Sequence, residues 1–376
     1  MNRRDFVQAG GALAAAGLTI VQPGAVRGSQ ANSKITVGLI GVGGRGSYDA
    51  GIFQADPRAR VTALCDLFDD RIETGIQKIK LQKPAVYKDF EKLLGSDVDA
   101  VIIATPPFEH PRMLEAAVQA RKHIYCEKPM GVDLAGAQRV IAAGRKADPS
   151  KCLSVGFQQR YGPVYLEAYK RIQEGQIGRL SNARGFWISG DPFKRKPYPD
   201  PKVEKLRNWF CYKDYSGDFI VEQDCHNFDV LHWFLNARPI RAVGMGGTKV
   251  RTSMEIMDHL TLSFEFPEGM HVNFEANQIS PSGFSKVGEE FTGTTGVILT
   301  SRARMVHIRG PKDSETIESK RDITMDGIEG FLARIQTGQV ENVAERSAIS
   351  TLFAILGRTA IYTGREATWK GEFGEI

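Results

Sequence analysis

The stretch ITVGLIGVGGRG, residues 35–46, decides the fold class of this 376-residue chain. Its first half, Ile35–Ile40, is an apolar run that predicts a buried strand, and its second half is a glycine turn with the spacing G-x-G-x-x-G. A helical pattern follows. A glycine turn between a strand and a helix lets the diphosphate of a dinucleotide approach the backbone closely. The residues of this turn expected next to a cofactor are Gly41, Val42, Gly43, Gly44 and Arg45.

Beyond the turn, strand and helix patterns alternate with short connections, which is typical of a doubly wound parallel sheet. The predicted strands are Ile35–Ile40, Val61–Cys65, Ala100–Ala104, His123–Cys126 and Leu153–Phe157. The predicted helices are Gly46–Ala55, Asp69–Lys80, one that starts at His110, and Asp133–Lys146. We therefore expect a Rossmann domain over residues 34–160.

Asp66 lies at the end of the second predicted strand. A carboxylate there can accept hydrogen bonds from the adenosine ribose hydroxyls and would repel a 2′-phosphate, so NAD is predicted rather than NADP. Arg45, inside the glycine turn, would partly offset that repulsion.

Three predicted strand ends carry polar or special residues: Thr105-Pro106, the motif CEKP at Cys126–Pro129, and Gln158-Gln159-Arg160. In an open α/β sheet the ligand lies at the carboxyl ends of the strands, so these residues should converge on one crevice. The further residues expected at the cofactor are Thr105, Pro106, His110, Glu127, Lys128 and Gln158. Lys128 is positioned to act on a hydroxyl near the nicotinamide, and the positive ring should lower its pKa, which suits a general base.

The remainder, residues 161–376, predicts an α+β domain with a large open, mostly antiparallel sheet. Its predicted strands are Asn182–Ser189, Ala242–Val250, Leu260–Phe266, His271–Gln278, Phe291–Thr300 and Met305–Arg309. Its predicted helices are Pro163–Glu174, Phe219–Leu235, Asp326–Thr337 and Val343–Tyr362, of which the last is expected to pack back on the first domain. Asp191–Asn208 is a proline- and lysine-rich segment predicted as a loop. Its lysine and arginine side chains would either bind an acidic sugar or, as in most charged loops, remain solvated.

The segment GDFIVEQDCHNFD, Gly217–Asp229, has an unusual density of polar residues on a half-apolar helical pattern. Glu222 and His226 are four residues apart, which places two side chains on one face of a helix. A carboxylate beside an imidazole can hold its tautomer and raise its basicity. The alternative is a surface ion pair with a buried helix behind it.

The ordered set of motifs resembles the glucose–fructose oxidoreductase/inositol dehydrogenase (Gfo/Idh/MocA) family from Lys34 to the C-terminus. The motifs are GVGGRG, ATP…H at Ala104–His110, CEKP, VGFQQR at Val155–Arg160, and H-x-x-D at His226–Asp229. The resemblance implies oxidation of a sugar or cyclitol by a lysine, an aspartate and a histidine, and often an oligomer formed through the open sheet. The lysine corresponds to Lys128 and the histidine to His226. At the position of the family's aspartate this chain has Glu222, and at a position where the family usually has glycine it has Asp224.

These correspondences give a predicted catalytic set of Lys128, His226 and Glu222. The predicted substrate-binding residues are Lys128, Arg160, Tyr161, Asp224 and His226. A homodimer or homotetramer is expected by the same resemblance. Exported NAD-dependent glycosidases of the family lack the lysine of the EKP motif, so Lys128 favours ordinary dehydrogenase chemistry.

Residues 1–31 are predicted to be a twin-arginine signal peptide. Arg3-Arg4 precedes an apolar stretch, Ala9–Val21, whose 13 residues are fewer than the roughly 20 needed to span a bilayer. A mature protein without a membrane span, outside the cytoplasm, is therefore expected. Twin-arginine export carries folded proteins, so NAD loaded in the cytoplasm would have to stay bound afterwards.

Composition narrows the remaining function classes. The formal net charge of +5 is modest and the basic residues form no stripe, so nucleic acid is not an expected partner. The seven histidines show no metal-ligand spacing, and the five cysteines include no C-x-x-C pair. Two rival functions remain: a redox-neutral glycosidase or epimerase that uses trapped NAD, and a non-catalytic binding protein that keeps the fold.

Overall fold

The computed structural model describes residues 34–376, and the predicted signal peptide lies outside the described residues. Its first sheet has six parallel strands in the order β3-β2-β1-β4-β5-β6. The strands are β1 (Ile35–Ile40), β2 (Ala59–Cys65), β3 (Ala85–Tyr87), β4 (Ala100–Ile103), β5 (His123–Cys126) and β6 (Leu153–Val155). The strand order reverses between β1 and β4, which is the point where a doubly wound sheet binds its ligand.

Helices cover both faces of this sheet. They are α1 (Gly44–Ala55), α2 (Asp69–Ile79), α3 (Phe90–Leu94), α4 (His110–Gln119) and α5 (Leu134–Arg145). Strand β3 and helix α3 are absent from the sequence-based prediction. Strand β3 is a three-residue edge strand with mostly exposed side chains, so it lacks the apolar run that marks a buried strand. Asp89 caps α3 by accepting a hydrogen bond from the Glu91 amide.

The second sheet has nine strands in the order β14-β13-β12-β11-β7-β10-β9-β8-β15. Strands β7 and β10 are parallel, and the other neighbours are antiparallel. The strands are β7 (Leu180–Ile188), β8 (Arg241–Gly247), β9 (His259–Glu265), β10 (His271–Asn277), β11 (Lys286–Gly293), β12 (Val297–Thr300), β13 (Arg304–Gly310), β14 (Asp313–Glu318) and β15 (Ala367–Thr368). The predicted fold class, a parallel Rossmann sheet followed by a mostly antiparallel open sheet, is confirmed.

One face of the second sheet is covered by helices. The helices of this part are α6 (Pro163–Gln173), α7 (Pro201–Arg207), α8 (Lys213–Ser216), α9 (Phe219–Glu222), α10 (Cys225–Leu235), α11 (Ile323–Thr337), α12 (Ala344–Thr363) and α13 (Trp369–Phe373). The strands alternate between buried and exposed residues, as expected of a sheet covered on one side. The uncovered face exposes Val243 and Met245.

Three predictions for this part are wrong in detail. The predicted strand Phe291–Thr300 is a hairpin of β11 and β12, because the turn closes with a bond from Gly293 N–H to Gly296 C=O. The predicted loop Asp191–Asn208 contains α7, whose start is capped by Asp200. The predicted helix Phe219–Leu235 is interrupted at residues 223–224 between α9 and α10.

The helices α11 and α12 connect the two parts of the chain. On α11, Phe331 packs against Phe53 and Tyr125 of the first domain, with ring centroids 5.9 and 5.8 Å away. On α12, the Thr351 hydroxyl accepts a hydrogen bond from the Met130 amide at 3.0 Å. The carboxyl edge of the first sheet is thereby held against the helices of the second domain.

Candidate active site

The glycine turn has the geometry that a dinucleotide needs. Gly41 has a φ of 91°, and a Cβ at that position would lie 2.6 Å from the Ala104 carbonyl oxygen. A Cβ at Gly46 would lie 2.0 Å from the Gly41 carbonyl oxygen. A Cβ at Gly43 or Gly44 would meet no atom within 4 Å. The first and last glycines therefore permit the tight turn, and the middle two leave open space at the start of α1, where a diphosphate binds.

Asp66 lies at the carboxyl end of β2 beside this turn. Its carboxylate accepts hydrogen bonds from the Val42 amide at 2.8 Å and the Phe68 amide at 3.0 Å. These bonds fix the carboxylate at the rim of a cleft of about 590 Å³. Among the residues that line the cleft are Gly41, Gly43, Gly44, Arg45, Asp66, Thr105 and Pro106. The predicted cofactor residues of the first strand ends are thus together in one cleft.

The segment of residues 191–211, here called the strap, contributes Phe193, Arg207 and Trp209 to the same cleft. The Arg207 guanidinium donates to both carboxylate oxygens of Asp70 on α2, at 2.8 and 2.6 Å. It also lies over the Phe68 ring, 3.9 Å from the centroid. The strap therefore connects the second domain to the cofactor side of the first, in contrast to the solvated loop that charge alone favours.

Arg45 does not point toward the position of a 2′-phosphate near Asp66. Its guanidinium donates two hydrogen bonds to Glu127 Oε1, at 2.9 and 2.8 Å, and one to Gln158 Oε1 at 3.4 Å. It also lies 3.3 Å from the buried Asp49 carboxylate. The expectation that Arg45 offsets the repulsion of NADP is therefore wrong for this conformation, and Arg45 connects the glycine turn to the end of β5 instead.

His110 braces the same strand end through the backbone. Its Nδ1 lies 2.7 Å from the Pro129 carbonyl oxygen, and its Nε2 lies 2.8 Å from the Thr105 carbonyl oxygen. The ring is buried. His110 thus joins the end of β4 to the loop that carries Lys128. It belongs to the predicted cofactor residues, but its buried ring is not among the residues that line the cleft.

Lys128 forms a short ion pair with Glu222, Nζ to Oε1 at 2.7 Å, and also donates to the Glu222 carbonyl oxygen. Burial by itself would lower the pKa of Lys128, but the carboxylates of Glu222 and Glu127 outweigh it and raise that pKa above its ordinary value. The expected lowering is therefore wrong for the protein chain itself. Lys128 is an ammonium group at neutral pH.

His226 lies close to this pair on α10. Its ring stacks on Trp187 at 5.9 Å, with 20° between the planes, and meets the edge of Phe157 at 6.0 Å. Burial and the positive charge of Lys128 hold the pKa of His226 well below its ordinary value. The imidazole is therefore neutral at neutral pH, and its Nδ1 has no hydrogen-bond partner among residues 34–376.

The expected Glu222–His226 pair on one helix face does not form. The helix is interrupted because the Asp224 amide bonds to the Phe219 carbonyl five residues earlier. This break separates α9 from α10, and the Glu222 carboxylate pairs with Lys128 instead. The periodicity of apolar residues in the sequence does not show this break, because the residues on both sides of it are buried.

Three predicted substrate residues are buried or bonded to other side chains of the protein. Asp224 is fully buried, neither carboxyl oxygen has a hydrogen-bond partner among the described residues, and burial raises its pKa well above the ordinary value. Arg160 donates to both oxygens of Asp229. Tyr161 accepts a hydrogen bond from Arg334 on α11 at 3.3 Å. These contacts give Arg160 and Tyr161 partners on α10 and α11.

A buried glutamate on β11 supports the histidine helix and is absent from the predicted set. The Glu289 carboxyl group accepts hydrogen bonds from the Asn227 side chain and the Thr300 hydroxyl, both at 2.6 Å. Burial raises its pKa to about 7. No local pattern around Glu289 marks it, because its partners come from distant segments of the chain.

In the described part of the chain, no helix is long and apolar enough to cross a membrane. The same residues contain no group of three or more histidine, cysteine, aspartate or glutamate side chains that could hold a metal ion.

A Rossmann sheet, an open glycine turn and an acidic residue at the end of β2 define a nicotinamide-dependent oxidoreductase. The family model "Oxidoreductase family, NAD-binding Rossmann fold" matches residues 35–157, and the model "GFO/IDH/MocA C-terminal domain" matches residues 165–299. Together they cover more than half of the chain. The chain belongs to the Gfo/Idh/MocA family, as the motifs predict, and it is an NAD-dependent oxidoreductase that acts on CH–OH groups.

Similar proteins agree with this assignment. The scyllo-inositol 2-dehydrogenase (NAD(+)) of Bacillus subtilis is 26% identical over 91% of this chain and 92% of that protein. The myo-inositol 2-dehydrogenase of Thermotoga maritima is 24% identical over 81% of this chain and 89% of its own length. The structure of a levoglucosan dehydrogenase with NADH and levoglucosan superposes with a TM-score of 0.75 at 17% identity, covering 89% of this chain and 99% of the other. The similarity to the levoglucosan dehydrogenase structure shows a shared fold.

Proposed function

We propose that this protein is an exported oxidoreductase that oxidises a secondary hydroxyl of a sugar, glycoside or polyol with a tightly held NAD. The observation that carries the proposal is the Lys128–Glu222 ion pair, which joins the segment of His226 to the strand end where Glu127 holds Arg45 of the glycine turn. The pKa of Lys128 is raised there by the neighbouring carboxylates, and that of His226 is lowered by burial and by the charge of Lys128. Two titratable groups whose pKa values are driven in opposite directions are typical of an acid–base site.

The two side chains have different parts in this proposal. Lys128, an ammonium held by Glu222, donates a hydrogen bond to the reacting oxygen and stabilises the negative charge that develops on it. His226, a neutral imidazole, accepts the hydroxyl proton. Bound NAD supplies the hydride acceptor. Glu222 keeps the ammonium group in position by its ion pair.

The substrate class follows the similar proteins. Relatives along most of the chain are inositol 2-dehydrogenases, and a protein with the same fold is a levoglucosan dehydrogenase. Cyclitols and sugars share adjacent secondary hydroxyls on a ring. We therefore propose a polyhydroxylated ring as the substrate.

Tight cofactor retention is the second part of the proposal. The strap lies at the dinucleotide cleft and is attached to α2 by the Arg207–Asp70 ion pair, so a bound dinucleotide would leave only after this contact opens. Retention fits the twin-arginine start of the chain, which would carry a folded, loaded protein out of the cytoplasm. A dissociation constant below about 1 μM is the expected range for a cofactor that survives dilution.

Assembly as a homodimer or homotetramer through the open sheet is part of the same proposal. The uncovered sheet face carries exposed apolar side chains, among them Val243 and Met245, beside the polar Arg184 and Glu275. Burying such a face against a second copy is favourable.

One experiment tests the central proposal. The protein is purified without added NAD, its bound dinucleotide is identified by mass analysis and absorbance, and the reduction of that dinucleotide is followed at about 340 nm after addition of myo-inositol, scyllo-inositol, levoglucosan or glucose. We expect NAD to co-purify and at least one ring polyol to reduce it. Empty protein whose activity rises with millimolar NAD would contradict retention, and release of an aglycone without net reduction would favour the glycosidase alternative.

A further inference from the structure

An arginine in the turn between β12 and β13 lies near His226, although no sequence motif marks it. The Arg302 guanidinium carbon lies 5.5 Å from the centroid of the Trp187 ring. The same ring stacks on His226 at 5.9 Å. The charge of Arg302 is also one of the influences that lower the pKa of His226, after burial and the charge of Lys128. Arg302 is therefore close to the imidazole of His226, the proposed proton acceptor.

Three arginines near the cleft and the histidine segment are paired with carboxylates. Arg45 is paired with Glu127, Arg160 with Asp229, and Arg207 with Asp70.

Arg302 differs from them. Within residues 34–376, no carboxylate lies at ion-pairing distance from it, and its contact is the Trp187 ring. The nearby Glu289 accepts hydrogen bonds from Asn227 and Thr300, and the nearby Asp322 accepts one from Tyr48. Arg302 is an exposed residue whose guanidinium has no carboxylate partner among the described residues, so it is available to an anion that arrives with the substrate.

A carboxylate matches this site better than a phosphate. One guanidinium presents two parallel N–H donors that fit the two oxygens of a carboxylate. A phosphate dianion would call on further cations, and the neighbouring Lys128 and Arg45 are neutralised by Glu222 and Glu127.

We propose that the substrate of this oxidoreductase is a polyhydroxy acid, a sugar or polyol that carries a carboxylate, and that Arg302 binds this carboxylate. The carboxylate on Arg302 positions the ring so that a secondary hydroxyl reaches His226 and Lys128. This inference rests on the proposed function and narrows its substrate class. It also places the acid recognition on Arg302 rather than on the cations of the strap, of which Arg195 and Arg207 have partners of their own.

The test compares matched neutral and acidic sugars on the NAD-loaded enzyme. The pairs are D-glucose with D-glucuronate and D-galactose with D-galacturonate, and D-glucose 6-phosphate is a separate arm. In at least one pair we expect the uronate to be used with a kcat/KM about tenfold or more above that of the neutral sugar, since a hydrogen-bonded charge is involved. The phosphate ester should gain no such advantage.

The variant Arg302→Gln and its control Arg304→Gln separate recognition from folding. Arg304 is an exposed arginine two residues further along, at the start of β13. Arg302→Gln should raise the KM for the uronate about 10- to 100-fold and change the KM for the neutral sugar far less, whereas any change in kcat through His226 should be shared by both sugars. Arg304→Gln should behave as wild type.

Three outcomes would overturn the inference. They are a preference for the neutral sugar in both pairs, a preference for the phosphate ester, and an Arg302→Gln variant that changes the KM of neutral and acidic substrates alike. Failure of every sugar and every cyclitol to reduce the bound dinucleotide would instead contradict the proposed function, and the inference with it. Oxidation of neutral cyclitols but not of uronates would overturn the inference alone.

Discussion

The glycine turn at Gly41–Gly46 and the histidine segment at Gly217–Asp229 are built in different ways. The turn is a contiguous motif in which Gly41 has a positive φ, Gly46 lies against the Gly41 carbonyl, and Gly43 and Gly44 leave open space. The side chains of the histidine segment contact residues that are distant in the sequence. These are Lys128 of the first domain and Trp187 and Glu289 of the second sheet. The cofactor half of the site is therefore encoded locally, whereas the reacting half depends on how the two domains pack.

The largest expected effect tests the contact that joins the two halves. Lys128→Met removes the ammonium group that pairs with Glu222, so we expect turnover to fall by about 10²-fold or more, since general acid–base groups contribute that much. Dinucleotide binding should survive, because the glycine turn and Asp66 are unchanged. The measurement is kcat together with the amount of bound NAD, and Lys146→Met, an exposed lysine at the end of α5, is the control. Near-normal turnover in Lys128→Met would remove this lysine from the reaction.

The second effect concerns Glu289 behind the histidine segment. Its folded-state pKa is raised from 4.5 to about 7, so its contribution to stability is fully present below about pH 4.5 and is lost as pH rises through 7. A shift of this size corresponds to about 3 kcal/mol of unfolding free energy. Glu289→Gln keeps the shape without the titration. We expect wild type to lose stability between about pH 5 and 8 in denaturant unfolding and the variant to lose less over that range.

Equal pH dependence of the two proteins would show that Glu289 is not the group that titrates. Glu290→Gln changes the neighbouring side chain, which pairs with Lys286 at the exposed edge of the same strand, and serves as the matched control.

A smaller effect concerns the cofactor half. Asp66→Ser removes the carboxylate from the end of β2, which should weaken NAD binding by roughly tenfold, the equivalent of about one to two hydrogen bonds, and lift the repulsion of a 2′-phosphate. The dissociation constants for NAD and NADP should therefore approach each other. Because Arg45 is paired with Glu127, we expect NADP to remain the weaker ligand in wild type. A native preference for NADP would reverse this interpretation.

The smallest expected effect concerns the strap, which spans both halves. The Arg207–Asp70 ion pair is partly exposed, so removing it by Arg207→Gln should cost about 0.5–1 kcal/mol and speed NAD release about two- to fivefold. Lys202→Gln is the control, because Lys202 is an exposed strap residue with no ion pair among the described residues. Release is followed by the fluorescence or absorbance of reduced dinucleotide after dilution. Unchanged release in Arg207→Gln would mean that the strap does not retain the cofactor.

The helices and strands of the first domain were largely predictable, and the errors have physical causes. Strand β3 escaped prediction because an edge strand with exposed side chains has no apolar period. The break between α9 and α10 escaped it because buried residues lie on both sides of the break. Arg45 was misjudged because its partner, Glu127, is 82 residues away along the chain.

The sequence by itself determined the Rossmann sheet, the dinucleotide turn, Asp66 and the identity of Lys128 and His226 as candidate groups. These features depend on local periodicity, on glycine conformations and on motif spacing, all of which are written in neighbouring residues. The tertiary structure decided which groups meet: Lys128 with Glu222, and His226 with Trp187. It also decided the protonation of the site, because burial and the charges of distant segments set the pKa values of Lys128 and His226.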